Sequence, residues 1–251
     1  MNMEAGVPAG AGVPARAGVP ATLRKFHAPG IREGSVSVII GRRETGKTWL
    51  VNDILRQKTF DTPFCTLISS RGSRVEAADR RFDLTPFGSI VRHDEYSEDA
   101  AKWACHRQKT IAHEHPDMDP RACLVIDDSL FDNSWLRDDE NLRAMLVAGK
   151  DMHLTTFITM SYGIQAPAEL LSRAVDYVFL FRESLLADRK RMYDAYTFGA
   201  FPSFEAFCQV LDQCTQEPHG CMVIDTRVAS NDLEDRVFWY MAPPPPLACT
   251  I

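Results

Sequence analysis

The chain has 251 residues, 45% of them hydrophobic and 25% charged, with a formal net charge of −6. Those values are ordinary for a soluble globular domain, and no apolar run reaches the ~18 residues a membrane span needs. An acidic balance argues against a domain that coats DNA by charge alone, though a ring meeting DNA through a few pore loops stays open.

The seven cysteines (Cys65, Cys105, Cys123, Cys208, Cys214, Cys221 and Cys249) are odd in number and never spaced Cys-x-x-Cys. That spacing points to neither a zinc site nor a redox pair. They read as buried or incidental free thiols in a reducing compartment. The N-terminus has no basic region leading into an apolar stretch, so no secretory signal is expected.

In chain order, residues 5–22 come first, a six-residue Ala-Gly-Val-Pro motif copied three times. It carries almost no large apolar side chain to offset the entropy of ordering, so residues 1–22 read as a disordered arm. One globular unit, residues 23–242, follows, and Pro243 to Pro246 open a proline-rich tail over 243–251. Within the unit, short β-type runs alternate with helical stretches, the pattern of a mainly parallel sheet flanked by helices. The strands are expected at Val36–Ile40, Phe64–Ile68, Ser89–Arg92, Ala122–Ile126, Leu154–Thr159, Tyr177–Phe181 and Cys221–Ile224.

Directly after the first strand stands Gly41-Arg42-Arg43-Glu44-Thr45-Gly46-Lys47-Thr48, and Trp49 opens a helix in which Leu50 and Ile54, Val51 and Leu55 recur at i,i+4. This is the strand–GxxxxGK[ST]–helix context of a phosphate-binding loop. Glycines let the backbone aim its N–H groups at the β-phosphate of ATP, and the helix N-terminus adds positive potential. Lys47 is expected to reach the β- and γ-phosphates, and Thr48 to ligate Mg²⁺. Ser97, followed by Glu98 and Asp99, reads as an N-cap.

Cys123-Leu-Val-Ile-Asp127-Asp128 delivers paired carboxylates at the end of an apolar strand, where α/β folds bind ligands. Asp127 is expected to hold the magnesium through water, and Asp128 to orient or deprotonate the attacking water. A third polar contact belongs on the strand between the phosphate-binding and acidic strands. Thr159 and Ser161 are both candidates for it, and either could instead be a capping hydroxyl.

Several features read as structural. His106, His113, Glu114 and His115 lie in a polar segment ended by Pro116 and fit a solvated helix end. Arg189-Lys190-Arg191 fits a solvated helix face. Phe204, Phe207, Val210 and Leu211 form a helical core stripe, and Trp239-Tyr240 an aromatic strand pair in the core.

From about Ile39 to Ala242 these residues resemble the DNA-packaging ATPases of nucleo-cytoplasmic large DNA viruses, within the FtsK/HerA-like P-loop superfamily of RecA/ASCE type. The likeness rests on the P-loop, Leu124-Val-Ile-Asp-Asp128, Phe157-Ile-Thr-Met-Ser-Tyr162, Asp176-Tyr-Val-Phe-Leu-Phe-Arg-Glu183 and Glu234-Asp-Arg-Val-Phe-Trp-Tyr-Met-Ala242. It departs where the family commonly has glutamine for Ser161, Arg-His where Lys150-Asp151 follows Gly149, and Arg two residues before Asn where Ser172-Arg173-Ala174 stands. The resemblance implies an ATP- and Mg²⁺-dependent motor on double-stranded DNA, assembled as a homo-oligomeric ring. It further implies contact with a capsid protein, work at viral assembly sites in the host cytoplasm and association with the virion. Ser161 would then sense the γ-phosphate, and Lys150, Arg173 or Arg182 would supply a cation to a neighbouring subunit. Two other readings compete: a P-loop kinase of a nucleoside or small molecule, with Arg182 to Arg191 as its lid, and an assembly protein that binds ATP without hydrolysing it.

Overall fold

The structure, a computed structural model, describes residues 23–57, 62–69, 82–128, 139–161, 173–230 and 232–243. The arm at 1–22, the tail beyond Pro243, Tyr162 and Ser172 lie outside the described residues.

The described strands are β1 Val36–Ile40, β2 Phe64–Ser69, β3 Ser89–His93, β4 Ala122–Asp127, β5 Leu154–Met160, β6 Tyr177–Phe181, β7 Gly220–Asp225 and β8 Val237–Met241. They form one sheet in the order β3-β2-β4-β5-β1-β6-β7-β8. The pairings from β3 through to β6 are parallel, whereas β7 and β8 join antiparallel. This is the mainly parallel α/β sheet flanked by helices that the alternating pattern leads one to expect. The strands run a residue longer than their apolar cores suggest at β2, β4 and β5, because ladder pairing carries on to Ser69, Asp127 and Met160.

Alternation along each strand divides the core between two faces. On one side Ile39, Val125, Phe157 and Phe179 meet Leu50, Val51, Ile54 and Leu55 of α1 (Lys47–Gln57). On the other, Val38, Ile40, Leu124, Ile126 and Ile158 are covered by α2 (Glu98–Glu114), α3 (Glu140–Ala148), α4 (Leu186–Tyr196) and α5 (Phe204–Cys214). Covered on both faces, the central strands read as unbroken apolar runs. Each fully buried aliphatic side chain contributes about 1.5–3 kcal/mol. A short α6 (Leu233–Arg236) leads into β8.

The helix starts follow their caps. Ser97 accepts from the Ala100 N–H, Ser203 from Ala206, and the buried Asp139 from Asn141 and Leu142, each worth about 1 kcal/mol. The expected aromatic pair divides. Tyr240 is buried, whereas Trp239 is only partly covered, donating its indole N–H to the Leu23 carbonyl at 3.1 Å with the Lys25 ammonium 5.6 Å above its ring.

β1 lies between β5 and β6, and both of its neighbours run parallel to it. Its carboxyl end therefore opens where the order reverses, the usual ligand crevice of such sheets.

Candidate functional site

The loop leaving β1 curls tightly. Glu44 and Gly46 take left-handed φ values of 66° and 108°, and the Thr45 hydroxyl donates to the Arg42 carbonyl at 2.8 Å. Both glycines are enforced by their surroundings. A Cβ at Gly41 would lie 2.5 Å from Thr45 Oγ1 and 2.7 Å from Phe181 Cβ, and one at Gly46 2.7 Å from His219 Nδ1. The first helical bond, Leu50 N–H to the Gly46 carbonyl at 2.8 Å, starts α1. Lys47 is buried, and its Nζ donates to the carbonyls of Gly41 at 2.7 Å and Arg42 at 3.0 Å. Thr48 and Trp49 are half-buried in the first turn, and Arg43 and Glu44 are exposed.

The two carboxylates reach this loop from β4. Sheet register sets Asp127 opposite Thr159 on β5 and Ser69 on β2. The Thr159 hydroxyl donates to Asp127 Oδ1 at 2.7 Å, and that of Ser69 to Oδ2 at 3.4 Å. Asp128 leaves the strand in a left-handed conformation (φ 46°) that aspartate tolerates better than most residues. Its N–H donates to the Thr159 carbonyl and hydroxyl, both at 3.1 Å. This turn brings Asp128 Oδ2 to 3.8 Å from Lys47 Nζ. The Ser161 hydroxyl donates to the Asp128 carboxylate, 3.0 and 3.1 Å from its two oxygens, and lies 3.4 Å from Lys47 Nζ. The two hydroxyls left open by the sequence therefore separate: Thr159 braces Asp127, and Ser161 joins Asp128 to Lys47.

A second attachment holds the loop from the other side. Arg42 grips Glu183, just past β6, with Nε at 3.1 Å and a terminal nitrogen at 2.9 Å. Glu183 is 1% exposed and also accepts from the N–H groups of Ser184 and Leu185. Two parallel guanidinium–carboxylate bonds fix orientation as well as charge.

The three cations named for a role between subunits do not cluster. Arg182 sits at the carboxyl end of β6, in a groove it shares with Glu44 and Thr45. Lys150 precedes β5 and Arg173 precedes β6, so both stand at the amino-terminal edge of the sheet. A strand of β5's length separates that edge from the loop after β1 by about 20 Å. The basic run on α4 is occupied by acids: Arg189 by Asp212, Lys190 by Asp194 and Arg191 by Asp188. Those side chains lie on a regular helix. His113 and Glu114 close α2, and His115 caps it.

Sequence reasoning missed Ser69, Glu183's grip on Arg42, and His219. The first follows only from strand register. Glu183 stood in a stretch singled out for its likeness, without a role. His219 lies 173 positions beyond Gly46 in a Pro-His-Gly turn that carries no motif.

No family model matches the chain. It is 30% identical over 210 residues to Uncharacterized protein 088R of Invertebrate iridescent virus 3, covering 84% of this chain and 76% of that one. Uncharacterized protein L437 of Acanthamoeba polyphaga mimivirus is 29% identical over 212 residues, with 82% and 72% covered. Among solved structures, the DNA-packaging ATPase B204 of Sulfolobus Turreted Icosahedral Virus superposes with a TM-score of 0.61 at 12% identity, over 85% of this chain and all of B204. The genome packaging NTPase B204 of Sulfolobus turreted icosahedral virus 2, in complex with AMPPCP, gives 0.58 at 11%, over 83% and 98%. Among the described residues no helix is long and apolar enough to cross a membrane. The chain thus has the fold of the viral DNA-packaging ATPases, and it belongs to the family of large-DNA-virus proteins that includes 088R of Invertebrate iridescent virus 3.

Proposed function

We propose that this protein is a Mg²⁺-dependent ATPase that drives double-stranded DNA into a viral capsid, working as a homo-oligomeric ring. The observation that carries the reading is the Lys47–Ser161–Asp128 contact beside the braced Asp127, all at the carboxyl edge of the sheet. The fold shared with packaging ATPases and the kinship with large-DNA-virus proteins support the DNA substrate.

The donor set fits magnesium. Asp127 and Thr48 offer hard oxygens, and a site with few protein ligands suits an ion that keeps waters and phosphate oxygens. When bound, Mg²⁺ would neutralise charge on the β- and γ-phosphates. The chain's own groups do the rest. Loop N–H groups and Lys47 hold the phosphates, Lys47 exchanging the carbonyls of Gly41 and Arg42 for phosphate oxygens. Asp128 orients the attacking water and takes its proton. Ser161, hydrogen-bonded to Asp128, senses the γ-phosphate. Asp127 is kept in place by Thr159 and Ser69.

Phosphate release measured with and without long duplex DNA tests the reading. A motor is stimulated by the DNA, a kinase needs an acceptor, and an inert assembly protein releases nothing. Indifference of a monodisperse monomer to both DNA and protein concentration would overturn it.

A further inference from the structure

A groove of about 210 Å³ opens beside the phosphate loop, between Glu44–Thr45, the end of β6 at Phe181–Arg182, and the turn from Thr215 to Gly220 that enters β7. Its position has a direction. The acids Asp127 and Asp128 come from β4, two places from β1 on one side, whereas the groove lies by β6 and β7 on the other. At ~4.8 Å per strand, β4 and β7 stand about 19 Å apart, enough for an extended nucleoside triphosphate. A triphosphate lying along the loop with its terminal phosphate at Asp128 would point its nucleoside towards the groove. The volume is below the ~300 Å³ of a complete small-molecule site, and suits part of a nucleotide whose phosphates lie elsewhere.

The wall is built for a flat ring. His219 is held in a left-handed conformation, φ 66°, an uncommon state for a residue with a side chain. The Gly220 N–H closes the turn on the Glu217 carbonyl at 3.1 Å. The imidazole rests against Gly46, with Nδ1 3.4 Å from the Thr45 carbonyl. Trp49, next to Thr48, meets it at 4.5 Å between ring centres with 39° between planes. Two aromatic rings thus border the loop on the side away from the acids, and Gln216 and Glu217 are exposed at the rim.

Resting on the ATPase reading, we infer that this groove takes the nucleoside end of the nucleotide, with His219 as the ring that stacks on it. Every base has a π-face, so stacking supplies affinity with little choice between bases. ATP and GTP are therefore hydrolysed with KM values within a few-fold of each other.

The test compares wild type, His219→Ala, His219→Phe and Lys47→Ala on Mg-ATP, Mg-GTP and magnesium tripolyphosphate, which has phosphates and no nucleoside. Loss of one stacking partner predicts about a tenfold rise in KM for both nucleotides in His219→Ala, with kcat kept. His219→Phe should recover most of it, and tripolyphosphate hydrolysis should not change between wild type, His219→Ala and His219→Phe. An unchanged nucleotide KM in His219→Ala, beside a Lys47→Ala protein that is dead, overturns the groove and leaves the ATPase reading intact. An equal loss on tripolyphosphate also overturns it, because His219 would then only support Gly46. A Lys47→Ala protein as active as wild type overturns the ATPase reading, and the groove with it.

Discussion

The Thr159 hydroxyl donates to Asp127 at 2.7 Å and accepts the Asp128 N–H at 3.1 Å, so one side chain on β5 sets both acids. Thr159→Val keeps the shape and removes the hydroxyl. Partners behind a metal ligand commonly matter 10–100-fold in metal affinity. The Mg²⁺ concentration giving half-maximal ATPase should rise by about that factor, beside a fall in Tm of roughly 2–8 °C from the donor that the buried Asp127 loses. An unshifted magnesium titration would mean that Asp127 does not hold the metal.

Asp128→Asn should bind ATP normally, because Lys47, Thr48 and Asp127 remain, while hydrolysis falls by orders of magnitude. Equilibrium binding beside single-turnover hydrolysis separates the two effects. Loss of binding with hydrolysis would exchange the roles assigned to Asp127 and Asp128.

Arg42→Ala leaves the buried Glu183 with only its two backbone donors. Those limit the penalty to about 1–2 kcal/mol, a fall in Tm of roughly 2–8 °C for a domain of this size. Arg42→Lys should recover part of the charge and little of the two-point grip. A calorimetric scan showing no change in Arg42→Ala would make the contact incidental.

Burial pushes the Asp176 carboxyl above its ordinary value, against the opposing pull of the Val36 N–H and Arg227. The folded protein therefore holds this proton longer than the unfolded chain does. Stability falls as pH rises from below 3.8 through the raised folded value, and the penalty is complete at neutral pH. Asp176→Asn keeps an acceptor for Val36 and cannot ionise. It should gain stability over wild type at pH 7 and lose that advantage as the pH is lowered. Urea midpoints at pH 7 and pH 4.5 decide this, and an equal or growing advantage at the lower pH contradicts it.

Lys150 and Arg173 lie at the opposite end of the strands from the loop that follows β1, so in the ring proposed above a direct part in turnover would be played at a neighbour's site. Replacing the acting one by Ala should remove turnover and spare ATP affinity. Mixing that variant with Lys47→Ala should restore some activity, one protein supplying the site and the other the cation. No recovery from either mixture would exclude both residues.

The strand, loop and helix at residues 36–57 were legible because everything that defines them is contiguous: apolar strand, glycine spacing, lysine, helix. The acids were legible for the same reason, as an apolar run ending in Asp127-Asp128. Which hydroxyl serves which acid was not, since it depends on Asp127 facing Thr159 across a ladder closed by residues 32 positions apart. His219 was illegible altogether. Its contact with Gly46 comes from a turn entering β7 that folds back onto a loop made near the start of the chain.

The central place of β1 has a consequence for how the protein is made. Val36 pairs with Thr156, 120 residues later, and Ser37 with Tyr177. On a ribosome adding 5–20 residues per second, the strand that launches the phosphate loop waits roughly 6–24 s for its first neighbour. During that interval its apolar side chains and open backbone are exposed, and contacts this distant in sequence form slowly. Nascent chains released before β6 should therefore fail to bind nucleotide although the whole loop is present, and they should be prominent clients of the host's chaperones.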